Sequence, residues 1–157
     1  MLNNNKFILN SILAFSMLSL AIAYYIQYGL GHKPCNLCLI ERIPYIAALI
    51  LISLIFILDK FERLILGVLM LFFILGAIVS FYHVGIEQGF FSESLLCELG
   101  LNTNIQNTND LLKSLEKTPI SCKDVTFRIF GLSLATFNAF LSIVISYILL
   151  KLIMKNE

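Results

Sequence analysis

The uncharged stretch Leu64–Tyr82, LILGVLMLFFILGAIVSFY, decides the fold of this 157-residue chain. Its 19 residues include no Asp, Glu, Lys, Arg or His. A helix that crosses a bilayer needs about 20 mostly apolar residues, because lipid offers the backbone no hydrogen-bond partners. The stretch is therefore predicted to be a membrane-spanning helix at about 64–82.

Three further apolar stretches extend this interpretation in both directions along the chain. Phe7–Gly31 and Ile129–Leu150 also lack charged residues, whereas Ile43–Leu58 has only 16 residues between two charged ones. We expect the helix of this shorter span to begin earlier, near Cys38. The sequence thus predicts four spans, at about 8–28, 41–58, 64–82 and 130–150.

The predicted fold class is an all-α integral membrane protein, a four-transmembrane-helix bundle formed by one membrane domain over residues 1–157. Hydrophobic residues make up 59% of the chain and charged residues 13%, against about 45–50% and about 25% in soluble domains. The net charge of +1 gives no reason to expect nucleic acid as a partner. Ala21-Ile22-Ala23 resembles a signal-peptide cleavage site, but the apolar region exceeds the usual length of about 7–15 residues, so a retained helix is favoured.

Four spans put the loops 29–40 and 83–129 on the same side of the membrane. Lys and Arg mark the cytoplasmic side mainly through short loops. When the long region 83–128 is left out, the side with both termini carries five such residues and the opposite side two. We therefore expect cytoplasmic termini and two outward-facing cysteine-bearing loops. Within the long loop, the leucines of Asp110–Lys117 share one helical face and predict a short surface helix.

All four cysteines lie in these two outer loops. Cys35 and Cys38 are in the first loop, and Cys97 and Cys122 are in the second. The outer side of a bacterial-type membrane permits disulfides. The natural pairing joins Cys35 with Cys38 and Cys97 with Cys122, although four cysteines allow three connectivities.

The Cys-x-x-Cys pair has the features of a reactive disulfide. A helix N-terminus and a nearby cation both stabilise a thiolate. If the helix begins near Cys38, Arg42 lies one turn further along the same face and can reach the sulfur or an electron acceptor at the membrane surface. A disulfide across two residues constrains little of the unfolded chain, so a redox role is favoured over a structural clip. For the Cys97–Cys122 pair, loop closure and thiol exchange both stay open.

His83 and the cysteine spacing give weaker indications of a catalytic histidine and of a metal site. His83 ends the third predicted span, where a histidine is more often a polar anchor than a reactive group, and Glu87 lies one turn further on as a partner for it. Structural zinc usually takes two closely spaced pairs, but 24 residues separate Cys97 from Cys122. No metal site is predicted.

Several segments resemble the family of disulfide bond formation protein B (DsbB). Residues 33–42, KPCNLCLIER, resemble its Pro-Cys-x-x-Cys-x-x-x-Arg signature. Residues 81–87, FYHVGIE, resemble the end of its third span, and residues 131–134, GLSL, the start of its fourth. The resemblance covers essentially the whole chain. The chain departs from the pattern at Phe137, where a tryptophan is expected, and its long loop shows no usable similarity.

The resemblance implies a quinone-linked protein-thiol oxidase of the bacterial inner (plasma) membrane. A reduced, soluble, periplasmic thioredoxin-like dithiol partner (DsbA-like) would attack the Cys97–Cys122 disulfide. Cys122 would then exchange with Cys35, and Cys38 would give electrons to ubiquinone or menaquinone. The residues implied to stabilise negative charge on the quinone are Arg42 and His83.

Two other functions are compatible with parts of this pattern. A membrane scaffold with two purely structural disulfides would lose only stability if Cys38 were replaced, and it leaves the placement of Arg42 unexplained. The quinone-reducing vitamin K epoxide reductases carry their Cys-x-x-Cys late in the chain, whereas here it follows the first span. The order of the segments therefore favours the DsbB-like interpretation.

Overall fold

The computed structural model describes residues 2–57, 61–92, 97, 122, 128–129 and 132–155. The predicted surface helix Asp110–Lys117 lies outside these residues. Five α-helices and two short strands are present in the described part of the chain. They are α1 (Leu2–Tyr24), which continues as a π-helical turn (Tyr25–Gly29), α2 (Asn36–Ile40), α3 (Ile43–Ile57), α4 (Glu62–Glu87), β1 (Arg128–Ile129), β2 (Leu132–Ser133) and α5 (Leu134–Lys155).

Four of the helical segments are long and apolar enough to cross a membrane. Only 22–33% of their most apolar stretches is buried inside the protein, so most of the apolar side chains face outwards, where lipid would cover them. The predicted all-α, four-helix membrane fold is therefore confirmed. The segments are Asn5–Gly29, Asn36–Ile57, Glu62–Glu87 and Leu134–Lys155.

Helix α4 has the most extensive helix–helix contacts of the bundle. It packs against α5 along much of its length and also against α3, while α1 packs against α3. The core between them is built from aliphatic side chains together with Tyr45 and Phe73. Its most buried members include Leu9, Ala48, Ile52, Leu66, Leu69, Phe73 and Leu149.

A glycine lets three helices approach closely at the middle of the bundle. A Cβ atom at Gly76 of α4 would lie 2.7 Å from the ring of Pro44 on α3 and 3.7 Å from Ser142 Oγ on α5. Small residues at such crossings are common between membrane helices, because association there depends on close packing rather than on the hydrophobic effect. Gly76 therefore sets the spacing of α3, α4 and α5.

Side-chain hydrogen bonds join the same three helices near this crossing. Tyr45 Oη donates to Asn138 Oδ1, and Asn138 Nδ2 donates to Ser80 Oγ at 2.7 Å. Each hydrogen bond satisfies polar atoms that lipid could not. This chain of polar contacts fixes the rotation of α3 and α5 against α4.

Helix α4 continues to Glu87, five residues beyond the end of the predicted span. It ends in a Schellman motif, in which Phe90 N–H donates to Gly85 O at 2.8 Å and Gly89 N–H to Ile86 O at 3.0 Å. Gly89 has a φ of +78°, a conformation that glycine adopts without steric cost. The last turn of α4 thus occupies the start of the segment 83–129, which was predicted to be a loop.

The helix of the second span begins at Asn36, earlier than the expected start near Cys38, and breaks between α2 and α3. Pro44 explains the break, because it has no backbone N–H and its ring clashes with the carbonyl group four residues earlier, that of Ile40. Helix α2 ends at that residue, and α3 resumes at Ile43. Glu41 and Arg42 therefore lie in a turn between the two helices, not on a continuous helical face.

Helix α5 begins at Leu134, four residues later than the predicted span at 130–150. The residues before it pair as antiparallel strands β1 and β2, with Ile129 opposite Leu132. Ser133 then caps the helix, since its Oγ accepts a hydrogen bond from Thr136 N–H at 3.3 Å. A serine at this position satisfies one of the free amides of the first turn.

We predict that Gly76→Ala lowers the midpoint of thermal unfolding in detergent, because the new methyl group would overlap the Pro44 ring. The expected cost is about 1–3 kcal/mol, the usual range for overpacking. The matched control is Gly67→Ala on the same helix, where a Cβ atom would meet nothing within 4 Å. Because alanine favours a helix over glycine, the control should unfold at the same or a higher temperature. Equal destabilisation by both substitutions would contradict the proposed role of Gly76.

Candidate functional site

The Cys-x-x-Cys pair forms a disulfide at the start of α2. Cys35 is the N-cap residue, and its Sγ accepts a hydrogen bond from the Cys38 amide at 3.2 Å. The two Cα atoms lie 5.2 Å apart, within the usual range for a disulfide. A helix N-terminus stabilises a sulfur that carries negative charge, so the local structure favours thiolate formation when this bond is opened.

The second pair, Cys97 and Cys122, is also disulfide-bonded, with Cα atoms 6.1 Å apart. Both of its cysteines are buried, and they pack in one apolar cluster with Cys35, Leu37 and Ile86. The structure therefore brings all four predicted cysteines together at one end of the bundle, in the predicted pairing.

A hydrogen bond also ties the second disulfide to the first. Asn36 Nδ2, between the two cysteines of the Cys-x-x-Cys motif, donates to the Cys97 carbonyl oxygen at 3.1 Å. Exchange between two disulfides requires that a sulfur of one can reach a sulfur of the other. Cys35, Cys97 and Cys122 pack in one cluster, so the two pairs are neighbours in the fold although they are far apart in the sequence.

His83 lies in the last turn of α4, buried beside the first disulfide. Its Nε2 is 3.6 Å from Cys35 Sγ and 3.7 Å from Glu87 Oε1. Its Nδ1 is 2.8 Å from Glu41 Oε1. Nδ1–H donates to the Glu41 carboxylate, whose oxygens accept hydrogen bonds, and Nε2 is the ring nitrogen that lies towards Cys35 and Glu87. His83 is thus buried against a sulfur rather than exposed as an interfacial anchor.

Glu41 is the site residue that the sequence interpretation missed. It is 93% buried, with 7% of its surface exposed. Charged residues are almost never so buried unless they are paired, and His83 is the partner in this case. The available signal was an acidic residue three positions before a helix-breaking proline, but its partner lies 42 residues away in the sequence.

Arg42 faces the first helix instead of the Cys38 sulfur. Its Nη1 donates to Gln27 Oε1 at 2.7 Å, and its guanidinium group lies 5.0 Å from the centre of the Tyr24 ring. Because α2 ends at Ile40 and α3 begins at Ile43, Arg42 lies in the turn between them and not one turn further along a continuous helix from Cys38. The contacts with α1 hold the cation in a defined place, and Gln27, a polar residue near the end of a span, was the missed sequence signal.

A cavity of about 500 Å³ connects these residues. One side is apolar, with walls from α1 and α5 that include Phe15, Leu18, Ile22 and Leu141. Its other side reaches the sulfur atoms and the charged groups, which makes it suited to a mostly apolar ligand with polar atoms at one end. The polar lining includes Cys35, Cys38, Glu41, Arg42, His83, Glu87 and Cys122.

Four apolar helices with two disulfides packed together at one end define a multi-pass membrane protein of thiol–disulfide chemistry. The family model for disulfide bond formation protein DsbB matches residues 5–152. The chain therefore belongs to the DsbB family, as the resemblance predicted, and is a disulfide-forming membrane oxidoreductase with two cysteine pairs.

The chain is similar to two individual proteins, one of which carries the name of this family. The chain is 28% identical over 141 residues to an uncharacterized protein of Rickettsia prowazekii, which covers 87% of this chain and 81% of that protein. It is 41% identical over 81 residues to disulfide bond formation protein B of Haemophilus influenzae, which covers 49% of this chain and 46% of that protein. No solved structure matches the chain significantly.

Proposed function

We propose that the protein reoxidises a soluble periplasmic thioredoxin-like (DsbA-like) dithiol partner and passes the electrons through its two cysteine pairs to a membrane quinone. The observation that carries this proposal is the apolar cavity of about 500 Å³ that ends at the Cys35–Cys38 disulfide. A disulfide that only stabilised the fold would have no need of a cavity beside it. An oxidase requires one, since the electron acceptor has to reach the sulfur.

The residues around the cavity fit a ubiquinone or menaquinone. A quinone has an apolar ring and tail and two carbonyl oxygens, which match apolar walls with donors at one end. Arg42 would hold the carbonyl end by donating hydrogen bonds to a negatively charged oxygen, and His83 would do the same from Nε2 once it has taken up the thiol proton. When bound there, a quinone supplies the electron-sink chemistry by accepting two electrons and two protons.

The first exchange takes place at the second disulfide. A thiolate of the partner attacks Cys97 Sγ, which forms a mixed disulfide and releases the Cys122 thiolate. The Cys122 thiolate attacks Cys35 Sγ, breaks the Cys35–Cys38 bond and releases Cys38 as a thiolate. Packing of Cys122 and Cys35 in one buried cluster supports this order, because the attacking and accepting sulfurs belong to neighbouring pairs.

Two further exchanges complete the electron balance. The second thiol of the partner attacks the mixed disulfide, so that the partner leaves oxidised and Cys97 is released. Cys97 then attacks Cys122, which restores their disulfide and leaves Cys35 and Cys38 as a dithiol. The partner has lost two electrons and two protons, and the Cys35–Cys38 pair has gained them. Oxidation of this dithiol at the cavity closes the cycle.

His83 and Glu41 control the proton at Cys35. His83 Nε2 lies 3.6 Å from Cys35 Sγ, where the imidazole can take up the thiol proton. Glu41 orients the ring by accepting from Nδ1–H and stabilises the imidazolium that forms. Arg42, held by Gln27 and Tyr24, supplies a fixed positive charge at the cavity where negative charge develops.

We further propose a location in the bacterial inner membrane, with both termini cytoplasmic and the cysteines periplasmic. Two observations support this orientation. Short-loop lysines and arginines favour the side of the termini, and disulfides persist on the oxidising side of the membrane. A soluble dithiol partner would then meet the second disulfide from the periplasm.

We predict that Cys38→Ser abolishes quinone reduction, because no thiolate would then face the acceptor. Purified protein in detergent would be supplied with a reduced thioredoxin-like dithiol protein and short-chain ubiquinone or menaquinone, and quinone loss followed by absorbance. Leu39→Ala is the matched control, a neighbouring half-exposed residue that should keep wild-type turnover. If the Cys38 variant turned over like the wild type, the relay would be wrong. If wild-type protein reduced neither quinone with several dithiol partners, a scaffold with structural disulfides would be the better interpretation.

We predict that Arg42→Met raises the KM for quinone about 10–100-fold, since a charge-assisted hydrogen bond contributes about 1.5–3 kcal/mol. The same turnover assay with varied quinone concentration measures this. Lys151→Met is the control, because Lys151 also lies 5.0 Å from the centre of a tyrosine ring, that of Tyr147, but does not line the cavity. An unchanged KM in the Arg42 variant, or an equal rise in both variants, would contradict a role for Arg42 in holding quinone.

A further inference from the structure

The site also contains a group of atoms that could bind a metal ion, and the thiol relay does not depend on this ability. The two sulfurs of Cys35 and Cys38 and a ring nitrogen of His83 all lie within 4.8 Å of one another. In the oxidised state the sulfurs are bonded to each other and do not act as thiolate ligands. The proposed relay produces the reduced pair in every cycle, and both thiols then stand beside an imidazole.

The distances match a tetrahedral zinc site. Zinc binds thiolate sulfur at about 2.3 Å and histidine nitrogen at about 2.0–2.1 Å, so neighbouring S and N ligands of one ion lie about 3.6 Å apart. Cys35 Sγ and His83 Nε2 are already 3.6 Å apart. The two-residue spacing of Cys35 and Cys38 is also the spacing of many zinc-binding cysteine pairs. Opening of the S–S bond is the main change that the site would need.

The surroundings of His83 also match those of a metal ligand. Metal-bound histidines usually donate their second ring N–H to a carboxylate, which fixes the ring and leaves the other nitrogen free to bind. Glu41 accepts from Nδ1 in this way at 2.8 Å, and Nε2 faces the sulfur. The carboxylate of Glu87 lies 3.7 Å from Nε2, outside the group formed by the two sulfurs and the ring nitrogen, and it would have to turn towards the ion to serve as the fourth ligand.

We propose that the reduced Cys35–Cys38 pair and His83 form a Zn²⁺ site, with Glu41 as the positioning residue and Glu87 as the fourth ligand, that inhibits the enzyme. Zn²⁺ displaces the thiol protons and binds both thiolates without any redox change. It thereby holds the electrons on the sulfurs and keeps them from the acceptor. The inhibitory part rests on the proposed function, whereas the binding site itself does not.

Equilibrium binding to the two redox states tests the site directly. Tag-free protein in detergent would be reduced with a small dithiol, freed of reductant without oxygen, and titrated with Co²⁺, whose thiolate charge-transfer absorption reports sulfur coordination. Zn²⁺ would then displace the Co²⁺. We expect one ion per reduced chain and none on the oxidised chain. Equal binding by both states, or Co²⁺ binding without thiolate absorption, would overturn the proposal.

Variants separate this site from other ways of binding zinc. Glu41→Gln should weaken Zn²⁺ binding about 10–100-fold, as loss of such a partner usually does, and His83→Ala should weaken it more. His32→Ala, at the other histidine of the chain, should leave the affinity unchanged. The double variant Cys97→Ser/Cys122→Ser should also bind normally. Loss of binding in that double variant, or wild-type affinity after His83→Ala, would show that different ligands hold the ion.

The inhibition is measured separately from binding. Added Zn²⁺ should stop quinone reduction by the wild type, and a chelator should restore it. If the reduced chain binds Zn²⁺ but no quinone is reduced under any condition, the proposed function fails and the metal site stands. If quinone is reduced and Zn²⁺ does not bind the reduced chain, the metal site fails and the proposed function stands.

Discussion

The structure depends on the need of every backbone amide in lipid to be hydrogen-bonded within the chain. Long helices meet this need, so the chain can leave a helix only where other groups replace the lost bonds. At the cysteine-bearing end of the bundle, such groups supply hydrogen bonds where α2 and α5 begin and where α4 ends. Cys35 Sγ caps α2, Ser133 caps α5, and a Schellman motif closes α4 around Gly89. The cysteines lie at this end, so the constraint that shapes the fold also shapes the site.

The pair formed by Glu41 and His83 links the fold to the chemistry. Both side chains are almost completely buried, and the turn that directs Glu41 inwards exists because Pro44 interrupts the helix. A buried carboxylate without its partner would be strongly destabilising. The pair therefore fixes the α2–α3 turn to the last turn of α4 and at the same time aims the second nitrogen of the imidazole at Cys35.

Much of this arrangement follows from the sequence, and the remainder depends on packing. Leu64–Tyr82 and the other apolar stretches predict the four helices, because a long apolar segment that crosses lipid has to form a helix to satisfy its backbone hydrogen bonds. The cysteine pairing followed from spacing and loop order. The contact of Arg42 with α1 did not follow from the sequence, because a proline-induced break places Arg42 in a turn and not on a continuous helix with Cys38. The contact between Glu41 and His83 could not be predicted. The two residues are 42 positions apart in the sequence, and their contact depends on how the α2–α3 turn packs against α4.

The central claim is that electrons pass from the second disulfide to the first through an exchange between Cys122 and Cys35. The double variant Cys38→Ser/Cys97→Ser removes one sulfur from each pair and leaves only these two. After purification under oxidising conditions, mass spectrometry of non-reduced proteolytic peptides would identify their state. The account predicts an intramolecular Cys35–Cys122 disulfide in most of the protein. Free thiols at both positions, in a folded variant, would contradict it.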